Sequence, residues 1–251
     1  MRTVLVLWLL VLGSALAGVQ QLAFDVASIK ENKSPAEGGT LQMMPGGGVR
    51  AVHASPLALI RVAYGLQDYQ LSGGPEWASN TFYDLNAHPT ATATREETLA
   101  MMKTLLADRF KLSLHRETRQ VDGFALVRMR PDAFGPGMRP SDVNCLNAKT
   151  VAATPRCRSG SITLTTMAAI GMPISTVSQL LVSRVHAPIT DETALTGTFD
   201  VELHWSDEVA PTGDSPNIYT AIQEQLGLKL ERRRVSTEVS VVDHLERATP
   251  D

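Results

Sequence analysis

The chain has 251 residues and a formal net charge of −3, with 26 acidic side chains against 23 basic ones. A chain this mildly acidic has no overall electrostatic attraction to nucleic acid or anionic lipid, which excludes functions that depend on such attraction. Its length allows one large domain or two domains of about 100 residues each.

The amino terminus has the pattern of a secretory signal peptide. Arg2 supplies a positive charge, residues 4–12 form an uninterrupted apolar run, and Ala15-Leu16-Ala17 is the small-residue pattern that signal peptidase recognises. A membrane anchor needs about 20 apolar residues, whereas this run ends at Gly13. We therefore predict a signal peptide over 1–17, export to the periplasm or the cell exterior, and no stable membrane span after cleavage.

A first α+β unit is predicted over residues 22–130. Residues 24–30 and 40–44 are predicted to form a leading hairpin that extends its sheet. The glycine run Gly46-Gly47-Gly48 leads into a strand rather than a helix. This position indicates a tight turn and disfavours a phosphate-binding loop.

The helices of this unit are marked by their caps. Ser55-Pro56 begins a short amphipathic helix that Gly65 ends, and Thr94-Arg95-Glu96-Glu97 is a capping box for a second helix. The alternation of residues 81–88 predicts a strand between the helices. Residues 111–117 and 123–129 are predicted to form a closing hairpin.

Residues 131–160 are rich in proline and glycine, so they are predicted to link this unit to a second one. They contain both cysteines of the chain, Cys145 and Cys157. An even cysteine count in an exported chain predicts a disulfide, which would stabilise the loop by roughly 3 kcal/mol. A metal or redox pair is disfavoured because the spacing is not C-x-x-C and no histidine lies nearby.

The same order of elements recurs over residues 161–246, at a shift of about 116 residues. Its predicted elements are a helix at 173–185, a strand at 198–205, a second helix capped by Ser215-Pro216, and a closing hairpin made by 228–233 and 237–243. We therefore predict an α+β fold made by tandem duplication of a strand-helix-strand-strand-helix-strand-strand unit, with two helices packed on a small mixed sheet in each. The units should superpose, with Tyr83 over Phe199 and Phe110 over Leu226 in their cores.

Several strings along the chain resemble the signatures of a known family. They include Leu71-Ser72-Gly73-Gly74-Pro75-Glu76-Trp77, Leu105-Leu106-Ala107-Asp108-Arg109-Phe110-Lys111-Leu112 and Leu195-Thr196-Gly197-Thr198-Phe199-Asp200. In these strings the chain resembles the soil-associated secreted proteins of acidobacteria, which are classed as a domain of unknown function. The resemblance implies neither catalytic residues nor a cofactor. Related domains are sometimes attached to membrane metallopeptidases of the antibiotic-sensing type, so it implies an envelope protein as partner.

The order of elements within each unit is similar to that of a second group of proteins. With helix starts such as Met172-Pro173-Ile174-Ser175-Thr176-Val177, each unit resembles the short N-terminal domain of secretins and TonB-dependent receptors. Those modules bind other envelope proteins and are not enzymes. The similarity therefore implies protein binding, by analogy of fold.

Acid and histidine pairs are the only repeated polar pattern that suggests chemistry, namely Asp84 with His88 and Asp200 with His204. Residues four apart on a strand are about 13 Å apart, too far to share a metal ion or a proton. Glu202 and His204, about 7 Å apart, could ligate a metal together, but solvent-facing strand positions explain them as well. We expect the four paired side chains to be exposed without a shared pocket, and we name no catalytic, cofactor or metal residue.

Arg232-Arg233-Arg234 is the densest run of positive charge. Side chains alternate along a strand, so at most two of these arginines point together. We interpret this run, and residues 115–119 at the matching place in the first unit, as solvated strand edges rather than a nucleic-acid surface. Trp77 and Trp205 are predicted to cover the two cores.

Two functions of different classes fit these predictions. The first is an exported, non-catalytic module that binds a protein partner in the cell envelope by strand addition, or senses a signal there. The second is a hydrolase or small-ligand-binding protein with a site between the two units. The sequence contains no paired catalytic residues, which favours the first.

Overall fold

A computed structural model describes residues 22–35, 38–145, 157, 161–206 and 215–248. Over these residues the fold contains five α-helices and twelve β-strands, which confirms the α+β class. The predicted signal peptide lies outside the described residues. Within the described part of the chain, no helix is long and apolar enough to cross a membrane.

The helices are distributed over both halves of the chain. They are α1 (Pro56–Tyr64), α2 (Trp77–Asn80), α3 (Arg95–Phe110), α4 (Ile174–Val185) and α5 (Ile218–Ala221), and α5 continues as a π-helical turn over Ile222–Leu226. A 3₁₀ turn covers Asp68–Gln70.

The caps that the sequence predicts for α1 and α3 are confirmed. The side chain of Ser55 accepts a hydrogen bond from the backbone N–H of Ala58, and Gly65 ends the helix with a φ of 66°. Thr94 and Glu97 form both hydrogen bonds of the capping box that begins α3. These contacts satisfy backbone groups that the ends of a helix leave unpaired.

The cap predicted for α5 is wrong. The helix begins after Asn217, whose side chain accepts a hydrogen bond from the backbone N–H of Thr220, and not after Ser215-Pro216. Asparagine and serine are equally good N-cap residues, and Asn217 is the one directly before the first residue of the helix, Ile218.

The strands are β1 (Val26–Glu31), β2 (Thr40–Met43), β3 (Val49–Ala54), β4 (Leu71–Gly73), β5 (Tyr83–His88), β6 (Ser113–Arg128), β7 (Met138–Pro140), β8 (Ser161–Ile162), β9 (Thr166–Met172), β10 (Ile189–Asp191), β11 (Phe199–His204) and β12 (Leu228–His244). They form three four-stranded sheets with the orders β1-β5-β3-β2, β10-β6-β12-β4 and β7-β11-β9-β8. The first and third sheets are antiparallel, and the central sheet is mixed because β4 and β10 run parallel to their neighbours.

The predicted leading hairpin is wrong in its pairing. β1 pairs with β5 and β2 pairs with β3, so β1 and β2 lie at opposite edges of the first sheet. The glycine run joins β2 directly to β3, and the N–H of Met44 donates to the C=O of Gly48 at 2.7 Å across it. The predicted tight turn is thus confirmed, and it decides which strand becomes the partner of β2.

Both predicted closing hairpins are also wrong. β6 and β12 are each one long strand, and they pair with each other in antiparallel register along almost their whole length. Each strand finds its partner in the other half of the chain, so neither turns back on itself. The prediction of one small mixed sheet in each unit is therefore wrong. Both halves of the chain contribute strands to one central mixed sheet. We call the β6–β12 pair the ribbon.

The ribbon connects two separate cores. Val242 and Leu245, near the end of the chain, are buried in the first core with residues of α1 and α3. Leu126, near the end of β6, is buried in the second core with residues of α4 and α5. Each core is therefore completed by a strand from the opposite half.

The side chains predicted to face the cores do so. The buried ones are Tyr83, Phe110, Phe199, Trp205 and Leu226, and Trp77 packs against the first core partly buried. The superposition of Tyr83 on Phe199 and of Phe110 on Leu226 stays a prediction.

The predicted disulfide between Cys145 and Cys157 is present, with a Cα–Cα distance of 5.3 Å and both residues buried. Within the segment predicted as a linker, Met138–Pro140 forms β7 and pairs with β11. Residues 146–156 and 158–160 of that segment lie outside the described residues.

Candidate functional site

Asp84, the second residue of β5, forms a hydrogen bond to an irregular point in the neighbouring strand β3. Its Oδ1 accepts hydrogen bonds from Nδ2 of Asn32 at 2.8 Å and from the backbone N–H of His53 at 2.9 Å. His53 has a φ of 52° and lies where β3 loses register with β5. Two hydrogen bonds lower the pKa of Asp84, the larger effect coming from Asn32 and the smaller from His53. They favour the ionised form of the carboxylate.

Asp200 has the same place and the same role in β11. Its Oδ1 accepts a hydrogen bond from the backbone N–H of Gly171 at 3.1 Å, and Gly171 has a φ of 61°. Its Oδ2 accepts one from Nη2 of Arg139 at 2.9 Å. Burial raises the pKa of Asp200, but hydrogen bonds from Ser141, Gly171 and Arg139 together outweigh burial and leave the pKa below its ordinary value.

The expectation that the four acid and histidine side chains are exposed is wrong for Asp200, and Asp84 is only partly exposed. Asp200 is only 5% exposed, because its carboxylate must reach a backbone N–H inside the sheet. Asp84 and His88 both line a cavity of about 530 Å³ on the first sheet. His88 and His204 are exposed as expected.

The structure places the two pairs on different sheets, Asp84 and His88 on the first and Asp200 and His204 on the third. Glu202 and His204 contact each other, with 3.1 Å between Oε1 and Nε2. In the part of the chain that the structure describes, no group of three or more His, Cys, Asp or Glu side chains could hold a metal ion.

The ribbon presents an unpaired strand edge. β10 covers β6 only opposite Phe124 to Leu126, and β4 covers β12 only at Ser240 to Val242. The N–H of Phe124 donates to the C=O of Pro188 at 2.9 Å, away from β12. Opposite residues of an antiparallel pair either bond to each other or both face outward, in alternation along the strands. Arg232 lies opposite Phe124, so it also directs its backbone groups outward.

Five residues of β12 have outward backbone groups without a backbone partner in the described chain, namely Leu230, Arg232, Arg234, Ser236 and Glu238. The C=O of Arg232 accepts a hydrogen bond from Nη1 of the neighbouring Arg233 side chain at 3.3 Å. We call the backbone of these residues the β12 edge. On the matching edge of β6, the side chain of Arg234 donates to the C=O of Gln120. An unpaired row of N–H and C=O groups is able to take up another strand.

Most charged side chains of the ribbon are paired on its surface. The pairs include Arg116 with Glu238 at 3.1 Å, Arg233 with Glu231 at 3.0 Å and Arg234 with Asp122 at 3.2 Å. Exposed pairs of this kind contribute up to about 1 kcal/mol each. Arg232 has no ion-pair partner among the described residues.

A cavity of about 470 Å³ adjoins the β12 edge and is lined by Asp122, Gly123, Phe124, Ala187, Arg232, Arg233 and Arg234. The ring of Phe124 lies 5.8 Å from that of Tyr219. The sequence places the arginine run correctly on an exposed strand, but it does not indicate the opposite strand or the cavity. Asp122 and Arg234 are 112 residues apart in the chain, and no local signal connects them.

Comparison with known proteins gives one family. A family model described as "Protein of unknown function (DUF3738)" matches residues 57–245, which include the second core, the ribbon and most of the first core. No curated protein and no solved structure matches the chain. Because the match covers well over half of the 251 residues, the chain belongs to this family.

Proposed function

We propose that this member of a family of unknown function is an exported, non-enzymatic module that binds an extended segment of another cell-envelope protein. The segment would bind by strand addition at the β12 edge. The observation that carries the proposal is the row of outward N–H and C=O groups without backbone partners in the described chain. In strand addition these groups supply affinity, and alternate side chains supply specificity.

Export to the periplasm or the cell exterior is part of this proposal. It is supported by the disulfide, which is typical of oxidising compartments. It is also supported by the apolar amino terminus with its cleavage pattern. The resemblances to the soil-associated secreted proteins of acidobacteria and to the short N-terminal domain of secretins and TonB-dependent receptors favour the same location and a protein partner.

A tandem duplication is a further part of the proposal, and strand register supports it. Gln120 lies opposite Ser236 in the ribbon, and a half-turn about this pair would exchange β6 with β12. The same rotation would exchange β10, which adds to the end of β6, with β4, which adds to the end of β12. Asp84 and Asp200, each bonded to a residue of positive φ, fit the same relation.

The alternative is a hydrolase or small-ligand-binding protein with a site between the two units. A catalytic acid or base needs a partner within hydrogen-bond reach. The candidate residues are divided between two sheets, and both aspartates already bind backbone N–H groups. These contacts favour a binding module. Metal-dependent hydrolysis that is lost in a folded His204→Ala variant would reverse this preference.

Affinity capture from envelope extracts tests the proposal when the tagged mature protein is compared with two proline variants. Ser236→Pro removes an outward N–H of the β12 edge and leaves the bonds to β6 in place. Gln120→Pro makes the matched change at the directly opposite residue of β6. A partner retained by the wild type and by Gln120→Pro but lost by Ser236→Pro supports strand addition at β12. Equal recovery with all three proteins contradicts it.

A further inference from the structure

The stretch of β12 from Lys229 to Arg234 is basic although the chain as a whole is acidic. Lys229, Arg232, Arg233 and Arg234 follow one another closely with Glu231 as the one acidic residue between them, whereas the formal net charge of the chain is −3. The three arginines are exposed. A strand that approaches this edge therefore meets a local positive charge.

Arg232 is the arginine whose charge is available. Arg233 pairs with Glu231 and Arg234 pairs with Asp122, whereas Arg232 has no ion pair in the described chain. Across the ribbon it faces Phe124, which carries no charge. A bound strand is thus the group placed to neutralise Arg232.

The geometry of strand pairing sets where the partner's charges must lie. Side chains of an added strand stand about 5 Å from the residues directly opposite, and like charges at that distance are destabilising. Arg232 and Arg234 are two residues apart, so they project from the same face of β12. Carboxylates at alternate residues of the added strand would face both arginines.

We propose that the segment bound at the β12 edge is acidic, with carboxylates at alternate residues that face Arg232 and Arg234. This inference rests on the proposed function and names the chemistry of the partner. The cavity of about 470 Å³ beside Arg232 has room for a longer acidic side chain.

Two labelled peptides serve as probes, Thr-Thr-Glu-Val-Glu-Thr-Thr and its counterpart with lysine in place of glutamate. Their binding to the mature protein is measured by fluorescence anisotropy, and circular dichroism confirms that each variant is folded. The glutamate peptide should bind more tightly than the lysine peptide. Its affinity should fall as salt is added. Arg232→Gln should weaken its binding by up to about fivefold, and Arg232→Glu should make the lysine peptide the tighter ligand. Lys229→Gln removes the same charge from the opposite face of β12 and should leave the preference unchanged.

The outcomes separate this inference from the proposed function. Equal affinity for both peptides, with both weakened by Ser236→Pro, overturns the acidic partner and leaves strand addition standing. Binding of the glutamate peptide that is unaffected by Ser236→Pro overturns strand addition at this edge. No binding of either peptide, or tighter binding of a single-stranded oligonucleotide than of the glutamate peptide, overturns the acidic segment.

Discussion

The side chain of Asp200 forms a hydrogen bond with a backbone N–H of the third sheet. Its carboxylate accepts the N–H of Gly171, at a point where β9 and β11 lose register and the sheet leaves that N–H without a strand partner. A buried N–H without an acceptor costs about 1–3 kcal/mol. An acid and a histidine near each other in sequence could not reveal this role, because the donor belongs to another strand.

Asp200→Ala should therefore lower the free energy of unfolding by about 1–3 kcal/mol, since it leaves the N–H of Gly171 buried without an acceptor. Urea unfolding followed by fluorescence measures the change. Glu202→Ala is the control, because the Glu202 side chain is exposed on the same strand and, among the described residues, bonds to the exposed His204. Equal losses in the two variants would contradict the assigned role of Asp200.

The lowered pKa values of Asp84 and Asp200 predict a loss of stability in acid. A carboxyl group whose pKa is lower in the folded protein stabilises the fold above its ordinary pKa, which is 3.8 here. That stabilisation disappears as the pH falls from the ordinary value through the folded one. Unfolding free energies of the wild type should therefore fall below about pH 4.

Asp84→Asn should reduce this dependence on pH, because the amide keeps an acceptor for the N–H of His53 but does not titrate. Urea unfolding at a series of pH values compares it with the wild type. Asp122→Asn, at a side chain that is 93% exposed, serves as the control and should retain the acid sensitivity of the wild type. An Asp84→Asn variant as acid-sensitive as the wild type would show that the loss comes from other groups.

At the scale of secondary structure, the sequence predicts elements well where neighbouring residues determine them. Ser55 and Gly65 set the ends of α1, and the glycine run sets the turn between β2 and β3. β6 could not be predicted in this way, because Asp122-Gly123 is a common turn signal. In the structure Gly123 lies within a continuous strand, and a Cβ atom there would lie 2.6 Å from the C=O oxygen of Pro188. This close approach, and not a turn, requires a glycine at the position.

Gly123→Ala should consequently destabilise the ribbon. The added methyl group would also lie 2.8 Å from Cγ of Pro188 and 2.9 Å from Cγ2 of Val235, so strands or loop must shift. Overpacking of this kind costs about 1–3 kcal/mol, and thermal unfolding would show it as a lower midpoint. Asp122→Ala tests the adjacent exposed position and should change the stability by less than about 1 kcal/mol. A Gly123→Ala protein as stable as the wild type would mean that the loop of Pro188 moves freely.

At the scale of the whole molecule, the ribbon makes the two halves interdependent. The end of β12 supplies Val242 to the first core, and the end of β6 supplies Leu126 to the second. The sequence indicates two similar halves, but their exchange of strands depends on contacts between residues far apart in the chain. Local periodicity carries no information about such contacts, and this is why the sequence predicts two separate hairpins.

Shared strands predict that the two cores unfold together, and two tryptophans can report on them separately. Trp77 packs against the first core and Trp205 lies in the second, while the third tryptophan is Trp8 in the predicted signal peptide. In a protein that lacks residues 1–17, Trp205→Phe leaves a reporter of the first core and Trp77→Phe leaves a reporter of the second. Added to each, Phe110→Ala removes a fully buried ring from the first core and should cost about 3–5 kcal/mol. Because β12 spans both cores, the urea midpoint reported by Trp205 should fall as far as that reported by Trp77. A Trp205 midpoint that stays in place while the Trp77 midpoint falls would show that the cores unfold independently and that the ribbon does not couple them.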